Sequence, residues 1–238
     1  MTRPLFRDDA YLAQADAVVS GITDTGGIVL DAAIFYARGG GQPGDSGWLA
    51  WDGHEIAISD ALKGDGDDIV LLPEPGAGLP AVGQTVHQRL DWDRRFGHMR
   101  VHSALHLLSV VIPLPVTGGA IGAAKGRLDF NMPDALEDKE AVQAQLNELI
   151  GRDLPVSAEW ITDAELAANP GLVKTMSVMP PTGAGQVRLI RIGQGEAQVD
   201  LQPCGGTHVA RTGEIGPVRL GKVEKKGALN RRVSILIE

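Results

Sequence analysis

Glycine and proline, 45 of the 238 residues, interrupt this chain so often that short strands and turns must outnumber long helices. Residues 17–31 read as a hairpin turning at Thr23-Asp24-Thr25-Gly26-Gly27, 55–64 and 65–74 as a second pair of strands, and 82–90 as a further strand. Short strands in such number hide their edges best by closing, so a small β-barrel or sandwich, closed rather than open, is expected over residues 1–90. The texture changes at Asp91. Phe96, Met99, Leu105, Leu107, Leu108 and Val111 recur near helical spacing, Asp91 or Asp93 can cap the start, and Pro113 stops the run. A second helix is predicted over 133–150 with Pro133 in its first turn, and a short one from Asp163 is stopped by Asn169-Pro170. Strands are expected at 156–161, 186–192, 198–201, 218–223 and 232–237. The predicted class is α+β, with a glycine-rich barrel domain over 1–90 and an α+β domain over 91–238.

Charge narrows the partners. Residues 1–90 carry 5 basic and 13 acidic side chains, residues 91–238 carry 17 of each, and residues 211–238 carry 7 basic against 3 acidic. A pI near 5.2 argues against a protein that coats nucleic acid without specificity, and DNA is not an expected partner. One local patch remains compatible with RNA: Lys222, Lys225, Lys226, Arg231 and Arg232, with Arg94, Arg95 and Arg100 as additions. On charge alone, an edge strand guarded by lysines is the simpler reading. Aromatic residues make up only 4%, too few for a broad base-stacking surface. No run approaches 18 apolar residues, the first ten residues lack a signal-peptide core, and the single cysteine cannot form an internal disulfide. These features predict a cytoplasmic protein without a membrane partner.

Two constellations carry chemistry. His102 and His106 stand four residues apart on the predicted helix, a spacing that puts both imidazoles on one face. His98 lies four residues earlier on the same face, so spacing alone does not choose among the three. Cys204-Gly-Gly-Thr-His208 places the only cysteine four residues from a histidine in a glycine turn. Three nitrogens and one sulfur suit tetrahedral Zn2+ better than Ca2+, Mg2+ or an iron–sulfur cluster. Four protein ligands fill a tetrahedron, which fits a structural ion, whereas a catalytic ion keeps a position open. A Cys–His nucleophile pair is a further reading, though it leaves the helical histidines without a role. A third feature, Arg38-Gly-Gly-Gly-Gln42-Pro-Gly-Asp45-Ser-Gly47, permits close backbone approach but lacks the lysine and the following helix of a nucleotide loop. It is read either as a turn of the barrel or as a functional loop.

Taken in order, GGGQPGDSG, DWDRRFGHMRVHSALHLL, RLDF, VDLQPCGGTHVARTGEIG and KGALNRRV resemble the editing domain of alanyl-tRNA synthetase. They are most similar to its freestanding relatives, the medium-length AlaX alanyl-tRNA editing proteins. The resemblance implies hydrolysis of the ester that joins a wrong amino acid, chiefly serine and in some members glycine, to the 3′ end of tRNA(Ala). It implies one Zn2+ per chain on His102, His106, Cys204 and His208, which excludes His98. It places Gly40, Gly41 and Gln42, and the block Lys226, Asn230, Arg231 and Arg232, near the substrate or the acceptor end of the mischarged tRNA, with Arg95 added to that set. Two departures stand out: Ser103 follows the first histidine where threonine is usual, and the segment before RLDF reads Gly118-Gly119-Ala120 where polar residues are usual.

The chemistry asked of such a site is modest in one respect and severe in another. An aminoacyl ester is already activated, so positioning water and stabilising the oxyanion suffice. Sparing alanine while accepting serine requires a polar group that reads one hydroxyl and is left unpaired when that hydroxyl is missing. Ser103, Thr207 and Gln42 are the candidates for that chemistry. Two other functions compete: editing of another aminoacyl-tRNA, such as a threonyl-tRNA system, and a non-catalytic zinc module that binds tRNA or a synthetase. A general small-ester hydrolase is disfavoured by the lack of G-x-S-x-G.

Overall fold

The computed structural model describes residues 1–136, 138–176 and 185–238. The chain divides into two compact units, Met1–Phe96 and Gly97–Glu238.

The first unit contains β1 (Arg3–Pro4), β2 (Gln14–Ile22), β3 (Ile28–Leu30), β4 (Ala32–Ala33), β5 (Gly47–Trp51), β6 (His54–Lys63), β7 (Ile69–Pro73) and β8 (Thr85–Leu90). Six of these close into an antiparallel barrel in the order β2-β3-β7-β6-β5-β8, while β1 and β4 pair in parallel outside it. Closure removes every free strand edge. Alternation sets the inward face: in β8, Val86, Gln88 and Leu90 are buried between exposed or half-buried neighbours. Gln88 is polar inside that core, and its amide is satisfied by donating to Ala32 O at 3.1 Å and accepting from Ile34 N at 3.1 Å. β5 escaped the sequence reading because Gly47-Trp48-Leu49-Ala50-Trp51 shows no strict apolar alternation. Gly47 is there for contact: a Cβ would stand 2.1 Å from Arg89 O on the neighbouring strand.

Helix α1 (Trp92–Val111) begins in the first unit, where Asp91 Oδ1 accepts from Arg94 N at 3.2 Å, and runs into the second. Residues 101–109 are all buried, so this is a helix enclosed on every side rather than an amphipathic one. The rest of the second unit holds β9 (Val116–Ile121), β10 (Lys125–Asn131), α2 (Lys139–Gly151), β11 (Val156–Thr162), α3 (Asp163–Ala168), β12 (Gln186–Ile192), β13 (Asp200–Pro203), β14 (Val218–Lys225) and β15 (Asn230–Ile237). They form two antiparallel sheets, β14-β15-β10-β9 and β11-β12-β13. Among the described residues no helix is long and apolar enough to cross a membrane.

The structure differs from the sequence reading at the starts of α2 and β13 and in two additional strands. α2 starts at Lys139 and not at Pro133, because Asp138 accepts from Ala141 N at 2.8 Å as the cap. Glu137, inside the predicted span, lies outside the described residues. The carbonyls of Pro133 and Asp134 serve instead as acceptors for the Arg231 guanidinium. β13 lies at 200–203 and not 198–201, because Gly195–Ala197 forms a tight turn first. β9 and β10 were not anticipated, since Thr117-Gly118-Gly119-Ala120 carries almost no strand signal.

Candidate metal centre

Helix α1 supplies two of four converging side chains, and the loop leaving β13 supplies the others. His102, His106, Cys204 and His208 each offer one ligand atom, all within 4.8 Å of one another. Cys204 Sγ lies 3.5 Å from His102 Nε2 and 3.3 Å from His208 Nε2. Tetrahedral zinc with ordinary bond lengths places its ligands about 3.3–3.6 Å apart, so these separations need little adjustment. The residues present therefore fit a tetrahedral thiophilic ion. His98 is buried on the same helix but is not in the group.

The loop is held from its backbone. Cys204 N donates to Arg188 O at 3.1 Å, and Arg188 Nη1 donates back to Cys204 O at 3.0 Å and Gly206 O at 2.9 Å. Gly206 N donates to Cys204 Sγ at 3.4 Å, which favours a thiolate there.

Each of two ligand rings is also fixed through its far nitrogen. His106 Nδ1 pairs with Asp200 Oδ2 at 3.0 Å, and His208 Nδ1 with Ser103 Oγ at 3.1 Å. Asp200 in turn accepts from Lys174 Nζ at 2.5 Å and Gln202 Nε2 at 2.7 Å. Ser103 Oγ also accepts from Val209 N at 3.2 Å. Such partners turn the nearer nitrogen toward a shared ion.

Electrostatics without an ion follow the same contacts. Burial opposes charge on His106, but the Asp200 hydrogen bond and the Cys204 sulfur outweigh it and raise its pKa to about 9. For His208, burial and the His102 charge prevail over Cys204, and its pKa falls to about 3. Burial works against Cys204 ionising, yet the His102 and His208 imidazoles hold the thiol well below its ordinary value. Asp200 is likewise lowered by His106 and Lys174 in spite of burial.

The remaining sequence candidates are placed as follows. Thr207 is buried within the ligand loop, and Ser103 is fully buried beneath His208. Gly40 and Gly41, with φ of 56° and 82°, form an exposed two-residue turn closed by hydrogen bonds between Gly39 and Gln42. Gln42 itself is 1% exposed inside the first unit. Arg95 does not have the accessibility that RNA contact requires. It is 0% exposed in the first unit, its Nε donating to Asp45 Oδ1 and Oδ2 and its terminal nitrogens to Ala10 O and Ile34 O. Asn230, Arg231 and Arg232 lie on β15. Arg232 is paired with Asp129, Arg231 with two backbone carbonyls, and Asn230 accepts from Thr117 Oγ1 at 3.3 Å. Lys226 is exposed just before that strand, 3.5 Å from Glu224. Asp200, Gln202 and Lys174 were missed from sequence, although Asp200, Gln202 and Cys204 follow one another at strand spacing.

Comparison with known proteins gives this geometry a context. The family described as "Threonyl and Alanyl tRNA synthetase second additional domain" matches residues 187–234, and "tRNA synthetases class II (A)" matches residues 6–94. The alanyl-tRNA editing protein AlaX-M of Methanosarcina acetivorans is 34% identical, with 98% of each chain covered. That of Methanosarcina mazei is also 34% identical, over 98% of this chain and 95% of its own. The alanine–tRNA ligase of Caldivirga maquilingensis is 35% identical over 94% of this chain, which spans a quarter of that larger protein. With this identity along nearly its whole length, the chain belongs to the AlaX-M family of alanyl-tRNA editing proteins.

Proposed function

We propose that this chain deacylates mischarged tRNA(Ala), chiefly Ser-tRNA(Ala) and secondarily Gly-tRNA(Ala), by hydrolysing the aminoacyl ester in the cytoplasm. A barrel domain over 1–90 precedes a zinc-binding editing domain over 91–238. The observation that carries the reading is the convergence of His102, His106, Cys204 and His208 in a chain similar throughout to proteins named for alanyl-tRNA editing. One Zn2+ on these four side chains would tie the Cys204–His208 loop to α1 and set positive charge beside the pocket in which the ester is hydrolysed.

The chain's own residues divide the remaining tasks. Asp200 and Ser103 orient His106 and His208 from behind. Arg188 holds the Cys204–Gly206 backbone in the curve that brings the thiolate and His208 together. Thr207, which directly precedes His208, is the candidate reader of the serine hydroxyl. Lys226 and the exposed Gly40–Gly41 turn are the candidate contacts for the acceptor end.

Deacylation of Ser-tRNA(Ala), Gly-tRNA(Ala), Ala-tRNA(Ala) and Thr-tRNA(Thr) by the purified protein tests this. Loss of serine and glycine with alanine spared supports the reading. Preferential attack on Thr-tRNA(Thr) moves the substrate to the threonine system, and binding of tRNA with all four esters intact reduces the protein to a binding module.

A further inference from the structure

The sheet β11-β12-β13 has two unlike faces. On one, Ile161, Val187, Leu189 and Leu201 pack with Leu166 and Leu172. On the other, antiparallel register aligns Val156 with Ile192 and Asp200, Ala158 with Ile190 and Gln202, and Trp160 with Arg188. The Cys204 N to Arg188 O hydrogen bond continues that last row to the metal ligand. Residues in register share a face, so Trp160, Arg188 and Cys204 stand side by side on the face that carries Asp200 and Gln202. Two strand spacings separate Trp160 from Cys204, about 10 Å.

Trp160 differs from the other three tryptophans. Trp48 lies under the Arg89 guanidinium at 4.1 Å, Trp51 stacks on His54 at 5.7 Å, and Trp92 stacks on Phe96 at 5.8 Å. Trp160 is 48% exposed on β11, the edge strand of its sheet. An aromatic ring laid on this exposed indole would be taken out of water on the same row as the His/Cys cluster.

We propose that Trp160 is a stacking surface for a nucleobase at the unpaired 3′ end of the substrate RNA, with Arg188 bridging it to the ligand loop. The proposal rests on the editing reading above. The ester to be cleaved sits on the terminal ribose. A substrate whose carbonyl lies at the His/Cys cluster therefore carries its last base, or the one before it, across the Arg188 row toward the indole. Stacking on an aromatic face tolerates any base, which suits a site that must grip a common 3′ end and leave amino-acid choice to the cluster.

The test compares wild type with Trp160→Ala, Trp160→Phe and Trp160→Thr, the last keeping strand preference should the alanine variant fold poorly. Equilibrium binding of a short single-stranded RNA ending in the tRNA 3′ sequence is measured beside the KM and kcat for Ser-tRNA(Ala), with metal content determined for each protein. The expected result is binding weakened, and KM raised, by about 5- to 150-fold in Trp160→Ala and Trp160→Thr, the loss of one base–aromatic stack. Metal content and kcat hold, and Trp160→Phe recovers most of the loss. Unchanged RNA affinity, or a fall in kcat with unchanged KM, overturns the proposal. A wild-type protein that binds the RNA through Trp160 yet leaves every ester intact overturns the editing reading instead and keeps the stacking assignment.

Discussion

His106 Nδ1 lies 3.0 Å from Asp200 Oδ2, on the far side of the ring from the nitrogen that joins the ligand group, and Asp200 is held in turn by Lys174 and Gln202. The carboxylate thus fixes both the tautomer and the tilt of His106. Asp200→Ala is predicted to weaken metal binding by about 10- to 100-fold while the fold is kept, with Asp200→Asn in between because its amide oxygen still accepts from the ring. Competition with a chromophoric chelator reads this directly. Equal affinities in all three proteins would show that helix packing alone orients the ring.

Arg95 gives a prediction of the opposite kind. Removing it leaves Asp45 charged and 1% exposed in the first unit, so Arg95→Ala should cost about 3–5 kcal/mol in urea unfolding of that unit. An Arg95 that acted on RNA would lower tRNA affinity and leave stability unchanged.

The two ligand pairs were legible because each is local: His102 and His106 by helical spacing, Cys204 and His208 by a glycine turn. Their meeting is not local, since Cys204 reaches His102 across 102 residues. Asp200 was legible in principle, because positions 200, 202 and 204 alternate onto one strand face, but that period counts only once β13 is known to run to Pro203. The burial of Arg95 was not legible, because its partner Asp45 lies 50 residues away and no local spacing joins them. At α2 the Pro133 signal lost to an aspartate cap five residues on, both being ordinary helix starts.

Gly97 sits within α1, where helix propensity alone makes Gly→Ala favourable by about 0.5–1 kcal/mol. Here a Cβ would stand 2.5 Å from Ala123 O, a backbone atom with little room to retreat. Gly97→Ala is therefore predicted to destabilise the second unit by about 1–3 kcal/mol, read as a lower Tm. A raised Tm would mean that the 122–125 turn yields freely.

Asp129 sets a pH dependence. Burial resists its ionisation, yet Arg232 and Arg127 donate to it and hold its pKa below the ordinary 3.8. The unfolded chain takes up this proton near pH 3.8 and the folded chain only at lower pH. The stabilisation is complete above the unfolded value and disappears as pH falls through the lowered native one. Asp129→Asn should thus be less stable than wild type at pH 7, with the gap closing below about pH 4. Urea unfolding across that range checks it, and a gap constant with pH would contradict it.

The proposed deacylation depends on an ion held by His102, His106, Cys204 and His208. Single-turnover deacylation of Ser-tRNA(Ala) beside Ala-tRNA(Ala), with bound zinc counted, tests it in wild type and Cys204→Ala. One zinc per wild-type chain, rapid loss of serine and sparing of alanine are expected, with metal and activity both lost in Cys204→Ala. Full activity in a Cys204→Ala protein free of metal would contradict it.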